Sequence, residues 1–177
     1  MPPAATPTPA LRPDQVRRYA RHILLPDVGG VGQARLLAAT VAVVDGDAGA
    51  VAFDYLARAG VGALVLVGDG GAPLDAAACA RRPYLLDPAG AAGQPRAALV
   101  AAWLAQLGPD VTVTWAPHPP AGVPVATPDA DLSVDEATDP AEVLRAGARA
   151  AIAVLHRLVA AGARPGAGPG AGPGVGP

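Results

Sequence analysis

Lysine and asparagine are both missing from this chain of 177 residues, and serine, cysteine and phenylalanine occur once each. Without lysine there is no phosphate-loop lysine and no Schiff-base lysine; all thirteen basic residues are arginine. The one serine, Ser133, falls in a predicted strand, which argues against a serine-triad hydrolase. Cys79 alone excludes an internal disulfide and a zinc site built from four thiolates. His22, His118 and His156 are too dispersed to point to a metal site, so no metal ligands are assigned. Aromatics make up only 3% of residues, which leaves a core packed from Val, Leu and Ala. A net charge of -2 gives no sign of a nucleic-acid surface. No apolar run reaches the length of a membrane span. The opening MPPAATPTPALRP lacks the basic and apolar regions of a signal peptide, so a cytoplasmic location is the expectation.

What is present has a clear centre. Thr40 to Gly62 reads as a buried strand (Val41 to Val44), a tight turn (Asp45 to Gly49) and a helix from about Ala50 to Ala59. A second apolar strand, Ala63 to Val67, follows. Strand, turn, helix and strand within about thirty residues make the βαβ unit of a nucleotide-binding domain. The expected fold is α/β: a Rossmann-like three-layer domain over residues 13–162, with a mainly parallel sheet of about four strands and helices on both faces. Residues 1–12 and the Gly/Pro-rich tail 163–177 are expected to be disordered.

Around that centre the pattern predicts a helix from Pro13 to before Pro26, with Val16, Tyr19, Ala20 and Ile23 on its apolar face. Gly29 to Gly32 reads as a loop before a short helix, Gln33 to Ala39. Gly68 to Gly71 is a loop at a strand's carboxyl end, where ligands bind in an open α/β sheet. Short helical character is expected over Leu74 to Arg82, a loop over Gly90 to Pro95, and a helix over Arg96 to Leu107. Val111 to Trp115 and Asp131 to Val134 read as further strands, with Val123 to Ala126 a candidate edge strand. Pro140 opens a helix to about Ala161, carrying Val143, Leu144, Ala148, Ile152, Leu155 and Val159 at helical spacing.

Four stretches, in order, carry a resemblance. Arg18-Tyr19-Ala20-Arg21-His22-Ile23-Leu24-Leu25 with Gly32-Gln33 and Leu36 resembles the N-terminal signature of the ThiF/MoeB/HesA family, the ubiquitin-activating-type adenylyltransferases. The strand-turn-helix ending Tyr55 to Gly62 is similar to that family's nucleotide-binding unit. Arg81-Arg82 and Gly93-Gln94-Pro95-Arg96-Ala97 resemble its arginine-pair region and Gly-Gln-Pro-Lys motif. Asp131 to Asp139 resembles the strand and turn that bear its catalytic aspartate. The resemblance covers roughly Gln15 to Asp139. It implies an enzyme that binds ATP and magnesium and adenylates the C-terminal glycine of a ubiquitin-like sulfur carrier. By the same resemblance Gly46 and Gly49 hold phosphate, Asp69 the ribose and Arg96 the phosphates in place of lysine. Arg81 and Asp139 are catalytic, and Arg21 (with Arg18) reaches the nucleotide of a dimer partner in trans.

The departures from the family pattern are specific. The glycine-rich turn has become Asp45-Gly46-Asp47-Ala48-Gly49, which puts carboxylates where phosphate would approach. Beyond Asp139 the resemblance implies a missing segment, the one with the family's cysteines, crossover loop and carrier-binding surface. Asp45 and Asp47 read either as a cation site or as a solvated polar turn. Arg81, Arg82 and Arg96 read as an anion site or as scattered surface charges, and Asp139 as a magnesium ligand or a helix cap. Three functions follow. The first is a degenerate, non-catalytic partner or scaffold subunit without a cofactor, beside a full-length family homologue or a ubiquitin-like carrier. The second is a minimal active adenylyltransferase using ATP and magnesium, and the third a small nucleotide- or cation-binding module.

Overall fold

The computed structural model describes residues 10–127 and 139–161. Its helices are α1 (Pro13–Arg18), α2 (Ala20–Ile23), α3 (Gly29–Ala38), α4 (Asp47–Ala59), α5 (Ala76–Ala80), α6 (Pro88–Ala91), α7 (Arg96–Leu107) and α8 (Pro140–Ala160). The strands are β1 (Thr40–Val44), β2 (Ala63–Val67), β3 (Thr112–Ala116) and β4 (Val125–Ala126). They form one sheet in the order β3-β2-β1-β4, and every pairing is parallel. The predicted strand Asp131 to Val134 and most of both predicted disordered termini lie outside the described residues.

β1 and β2 are runs of Val, Leu and Ala because both of their faces are covered, as parallel strands require. Val41 pairs with Leu64 and Val43 with Leu66, and these four enter the main core with Phe53, Leu56, Val100 and Trp103. Ala42 and Val65 point the other way and are buried as well. The few aromatics are concentrated: Phe53, Tyr84 and Trp103 form a cluster with ring centroids 5.2–5.7 Å apart. That cluster joins α4, α7 and the loop after α5.

Three local expectations change. The single N-terminal helix is broken at Tyr19, and Val16, expected inside, is exposed while Gln15 and Tyr19 are buried. Gly29 to Gly32 is the first turn of α3 rather than a loop. The face of α8 is also different. It buries Val143, Ala146, Gly147, Ala150, Ala151 and Val154, and leaves Leu144 and Ile152 exposed. Small residues win because α8 lies directly on α4: a Cβ at Gly147 would stand 2.4 Å from the Ala48 carbonyl oxygen and 2.5 Å from Val51 Cβ.

The N-terminal signature is a packing node. Gly60 ends α4 at a φ of +83°, and a Cβ there would meet the Tyr19 ring at 2.6 Å and Gln33 Nε2 at 2.8 Å. Gln33 is fully buried; its amide donates to the Ala59 carbonyl at 3.0 Å, and its Oε1 meets His22 Nδ1 at 3.2 Å. Tyr19, His22, Gln33 and Gly60 thus close the C-terminal end of α4, where unpaired carbonyls need donors.

Candidate functional site

The site grows from the end of β1. Asp45 follows the strand, Gly46 is the N-cap of α4 with a φ of +151°, and Asp47 is already the first helical residue. The turn is therefore only two residues long, three shorter than the spacing suggests. Gly46 has open space around it, whereas Gly49 sits inside the helix against β1, where a Cβ would lie 1.9 Å from the Val44 carbonyl oxygen. Gly49 is needed for that approach of helix to strand. The α4 N-terminus has no side-chain cap, so its amide groups and dipole present partial positive charge beside this turn.

Two distant segments bring arginines to it. Arg81 and Arg82 follow α5, whose start is capped by Asp75 accepting from the Ala78 amide. Arg96 opens α7, held in place by its amide to the Ala72 carbonyl and by the Ala97 amide to the Gly70 carbonyl at 2.8 Å. Arg96 pairs with Asp45, and Arg81 with Asp47. Arg82 lies between the two acids: Nη1 is 3.6 Å from Asp45 Oδ1, Nη2 is 3.9 Å from Asp47 Oδ1, and Nη1 also donates to the Gly46 carbonyl. The Arg82 side chain is only 4% exposed and that of Asp45 12%. Two acids and three arginines therefore form one partly buried network at the carboxyl end of the central strand. The solvated turn expected of Asp45 and Asp47, and the scattered arginines, are both replaced by this network.

A nucleotide's phosphates do not fit this arrangement as it stands. The carboxylates stand in ion pairs with the three guanidinium groups that would meet phosphate, although Arg82 Nε and Arg96 Nε find no hydrogen-bond partner. At about 4 Å and an effective dielectric near 20, each would repel a phosphate charge by roughly 4 kcal/mol.

The other candidate residues are placed apart from the network or are engaged locally. Asp69 is exposed and accepts from the Gly71 amide at 2.9 Å, closing its own turn beside Trp115. Asp139 caps α8, accepting from the Ala141 amide at 2.9 Å, and stands 3.9 Å from Arg145. Arg21 lines a cavity near the far end of α4, with Arg18, Tyr19, His22 and Arg58. Arg18 turns into its own chain, donating to the Leu107 carbonyl at 3.3 Å and lying 3.3 Å from Asp110 Oδ2. That last contact is an ion pair without hydrogen-bond angles, since Asp110 Oδ2 finds no hydrogen-bond partner. Asp110 also accepts from Arg12 at 2.7 Å and from Gln15 Nε2 at 2.9 Å. Burial pushes the Tyr19 hydroxyl above its usual pKa, with Asp110 raising it further and Arg18 opposing.

Sequence reasoning missed Asp110, the buried bridging role of Gln33 and the central place of Arg82. The signal for Arg82 was a charge match: two acids in one turn, and three arginines in the two segments the family resemblance had already marked.

A parallel sheet with a short βαβ turn at its carboxyl edge defines a Rossmann-like α/β protein. No family model matches the chain. It is 41% identical over 107 residues to the SAMP-activating enzyme E1 of Haloferax volcanii, covering 60% of this chain and 38% of that protein. Over 68 residues it is 46% identical to the probable adenylyltransferase/sulfurtransferase MoeZ of Mycobacterium tuberculosis, covering 38% of this chain and 17% of that one. The fold is also that of the E. coli tRNA N6-threonylcarbamoyladenosine dehydratase TcdA, solved with AMP. There the TM-score is 0.51 at 23% identity, over 60% of this chain and 42% of that one. Over the part they cover, these matches indicate the ThiF/MoeB/HesA family. It spans less than two fifths of the length of these two curated relatives.

Proposed function

We propose that this chain is a non-catalytic member of the ubiquitin-like modifier-activating adenylyltransferases, acting as a partner or scaffold subunit. One observation carries the reading: Asp45 and Asp47 fill the turn and hold Arg81, Arg82 and Arg96 in ion pairs. A working site would aim those cations at the charge developing on a transferring phosphate. Here the chain's own carboxylates have taken them up. Asp139, which the resemblance marks as a magnesium ligand, caps α8. The reading therefore gives the chain neither ATP nor magnesium of its own. Its partner would be a full-length family homologue, or the ubiquitin-like sulfur carrier such a homologue activates, with assembly through a dimer. A cytoplasmic setting goes with that reading.

Calorimetry with Mg-ATP and a carrier-dependent pyrophosphate-exchange assay test the first half. No heat of binding and no exchange are expected. Saturable ATP binding with exchange would instead establish a minimal active adenylyltransferase. A pull-down with a full-length homologue tests the second half; retention of that homologue is expected, and its absence would leave a small independent binding module.

A further inference from the structure

Residues 73–95 leave the body of the fold as one closed excursion. Its base is pinned by a bridge between Pro73 and Pro95. Two backbone bonds reinforce it: the Leu74 amide donates to the Gln94 carbonyl at 3.3 Å, and the Gly93 amide to the Leu74 carbonyl at 2.8 Å. Within it α5 and α6 pack together over a small core of their own. Leu74, Cys79 and Ala91 are buried there with Leu99 of α7, apart from the main core. So few buried apolar side chains give a segment little local stability, and its docking on the sheet depends on other contacts.

Two contacts stand out. Tyr84 enters the aromatic cluster beside Phe53 and Trp103. The other contact is ionic and lies at the start of α4. There Arg81 pairs with Asp47, and Arg82 donates to the Gly46 carbonyl and stands 3.6 Å from Asp45 Oδ1. Arg96, just beyond the base of the excursion, takes the other oxygen of the same Asp45 carboxylate. One carboxylate therefore separates two guanidinium groups that would otherwise face each other as like charges. The Arg82 side chain is 4% exposed, so water cannot take the place of that carboxylate. Arg82 Nε and Arg96 Nε stay without a hydrogen-bond partner, so the acids offset charge without satisfying every donor.

We propose that residues 73–95 form a flap docked against the βαβ turn, and that Asp45 and Asp47 are its latch. The two carboxylates act as a built-in anion that holds the flap shut without a ligand. A flap closed by a bound anion opens when the anion leaves, whereas one closed by the chain's own acids stays shut. The result is a fixed surface at this edge of the sheet, with Leu86 80% exposed on it. The latch deepens the non-catalytic reading and rests on it for the role of the two aspartates. The two fail separately: pyrophosphate exchange by the parent chain would end that reading, while the latch is read from flap opening in variants.

Cys79, the one cysteine of the chain, is fully buried in the flap's own core and serves as the probe. Its reaction with the neutral reagent N-ethylmaleimide, followed by mass on the full chain, reports opening. Asp47→Asn, opposite the half-exposed Arg81, is expected to speed labelling about fivefold, and Asp45→Asn about a hundredfold. Local opening exposes little surface, so labelling should depend weakly on urea, while amide exchange at Val43 and Leu66 in the sheet depends on it steeply. In the double variant inorganic phosphate is expected to slow labelling, and chloride at equal ionic strength to leave it fast; the parent should respond to neither. An unchanged rate in Asp47→Asn would overturn the proposal, and so would labelling as steep in urea as the sheet amides. Phosphate without effect on the double variant, or slowing the parent equally, would show that the acids do not act as the anion. Should the double variant fail to fold, Asp47→Asn decides alone.

Discussion

Asp45 shares one carboxylate between Arg96 and the nearly buried Arg82, whereas Asp47 meets Arg82 only at 3.9 Å and relies on the half-exposed Arg81. The two acids should therefore differ in weight. Asp45→Ala leaves buried guanidinium charge uncompensated and is expected to cost about 3 kcal/mol. Asp47→Ala, opposite a cation that water can solvate, should cost about 1 kcal/mol or less. Urea midpoints of the two variants check this, and equal losses would show that burial does not rank the pair. A second acid makes the opposite case. Burial raises the Asp54 pKa above its ordinary 3.8, against the lowering pull of Arg58. The folded chain thus favours the neutral carboxyl. Its contribution to stability is complete below the unfolded pKa and is lost as pH rises through the higher folded value. Asp54→Asn is expected to be more stable than the parent at pH 7, with the gain disappearing as pH falls below about 4. Denaturation at both pH values reads this directly.

At the scale of the element, α8 shows how packing overrides pattern. Its sequence carries two apolar stripes, one of Leu, Ile and Val, the other of Ala and Gly. Periodicity counts hydrophobicity and therefore favours the larger side chains. The structure selects Ala146, Gly147, Ala150 and Ala151 because α4 approaches so closely that only small residues fit between them. Gly147→Ala is expected to destabilise the chain by about 2 kcal/mol by driving α8 from α4. Ile152→Ser on the exposed stripe should change stability by about 0.5 kcal/mol or less. Thermal melts of the pair give the comparison, and a larger loss for Ile152→Ser would reverse the assignment of the buried face. β1, β2 and α7 were legible within one residue because alternation, length and flanking glycines agree there. The break at Tyr19 was not, since it follows from Tyr19 and Gln33 packing on Gly60, a contact between segments far apart in sequence.

For the molecule as a whole, the sheet has Rossmann-like geometry, and two acids at its carboxyl edge are paired with three arginines. A ligand at a hundred times its dissociation constant stabilises a fold by about 2.7 kcal/mol, several degrees in a domain of this size. Mg-ATP at millimolar concentration is expected to leave the melting temperature unchanged. A clear upward shift would show that phosphate displaces Asp45 and Asp47 from the arginines, and the non-catalytic reading would fall. The partner reading belongs to this scale as well. The residues of the N-terminal signature that turn inward, Tyr19, His22 and Gln33, hold α4 in place. Their presence is accounted for by stability alone, so the case for a partner rests on binding measurements.

The sequence by itself determined the family, the parallel α/β architecture and the place of the altered turn. Each of these is written in local patterns: apolar runs of strand length, glycines at helix ends, and motifs in a fixed order. It also set the chemistry that is excluded, because residues that are missing cannot be supplied by folding. Only the tertiary structure decided what the two aspartates do. Asp45 and Asp47 meet arginines more than thirty positions away, and charge alone does not say which of them will be brought within 4 Å. The same holds for the cavity around Arg21, whose walls come from three separate segments. Pairing across the chain is set by how helices pack on the sheet, and that packing depends on side-chain volume at every contact at once.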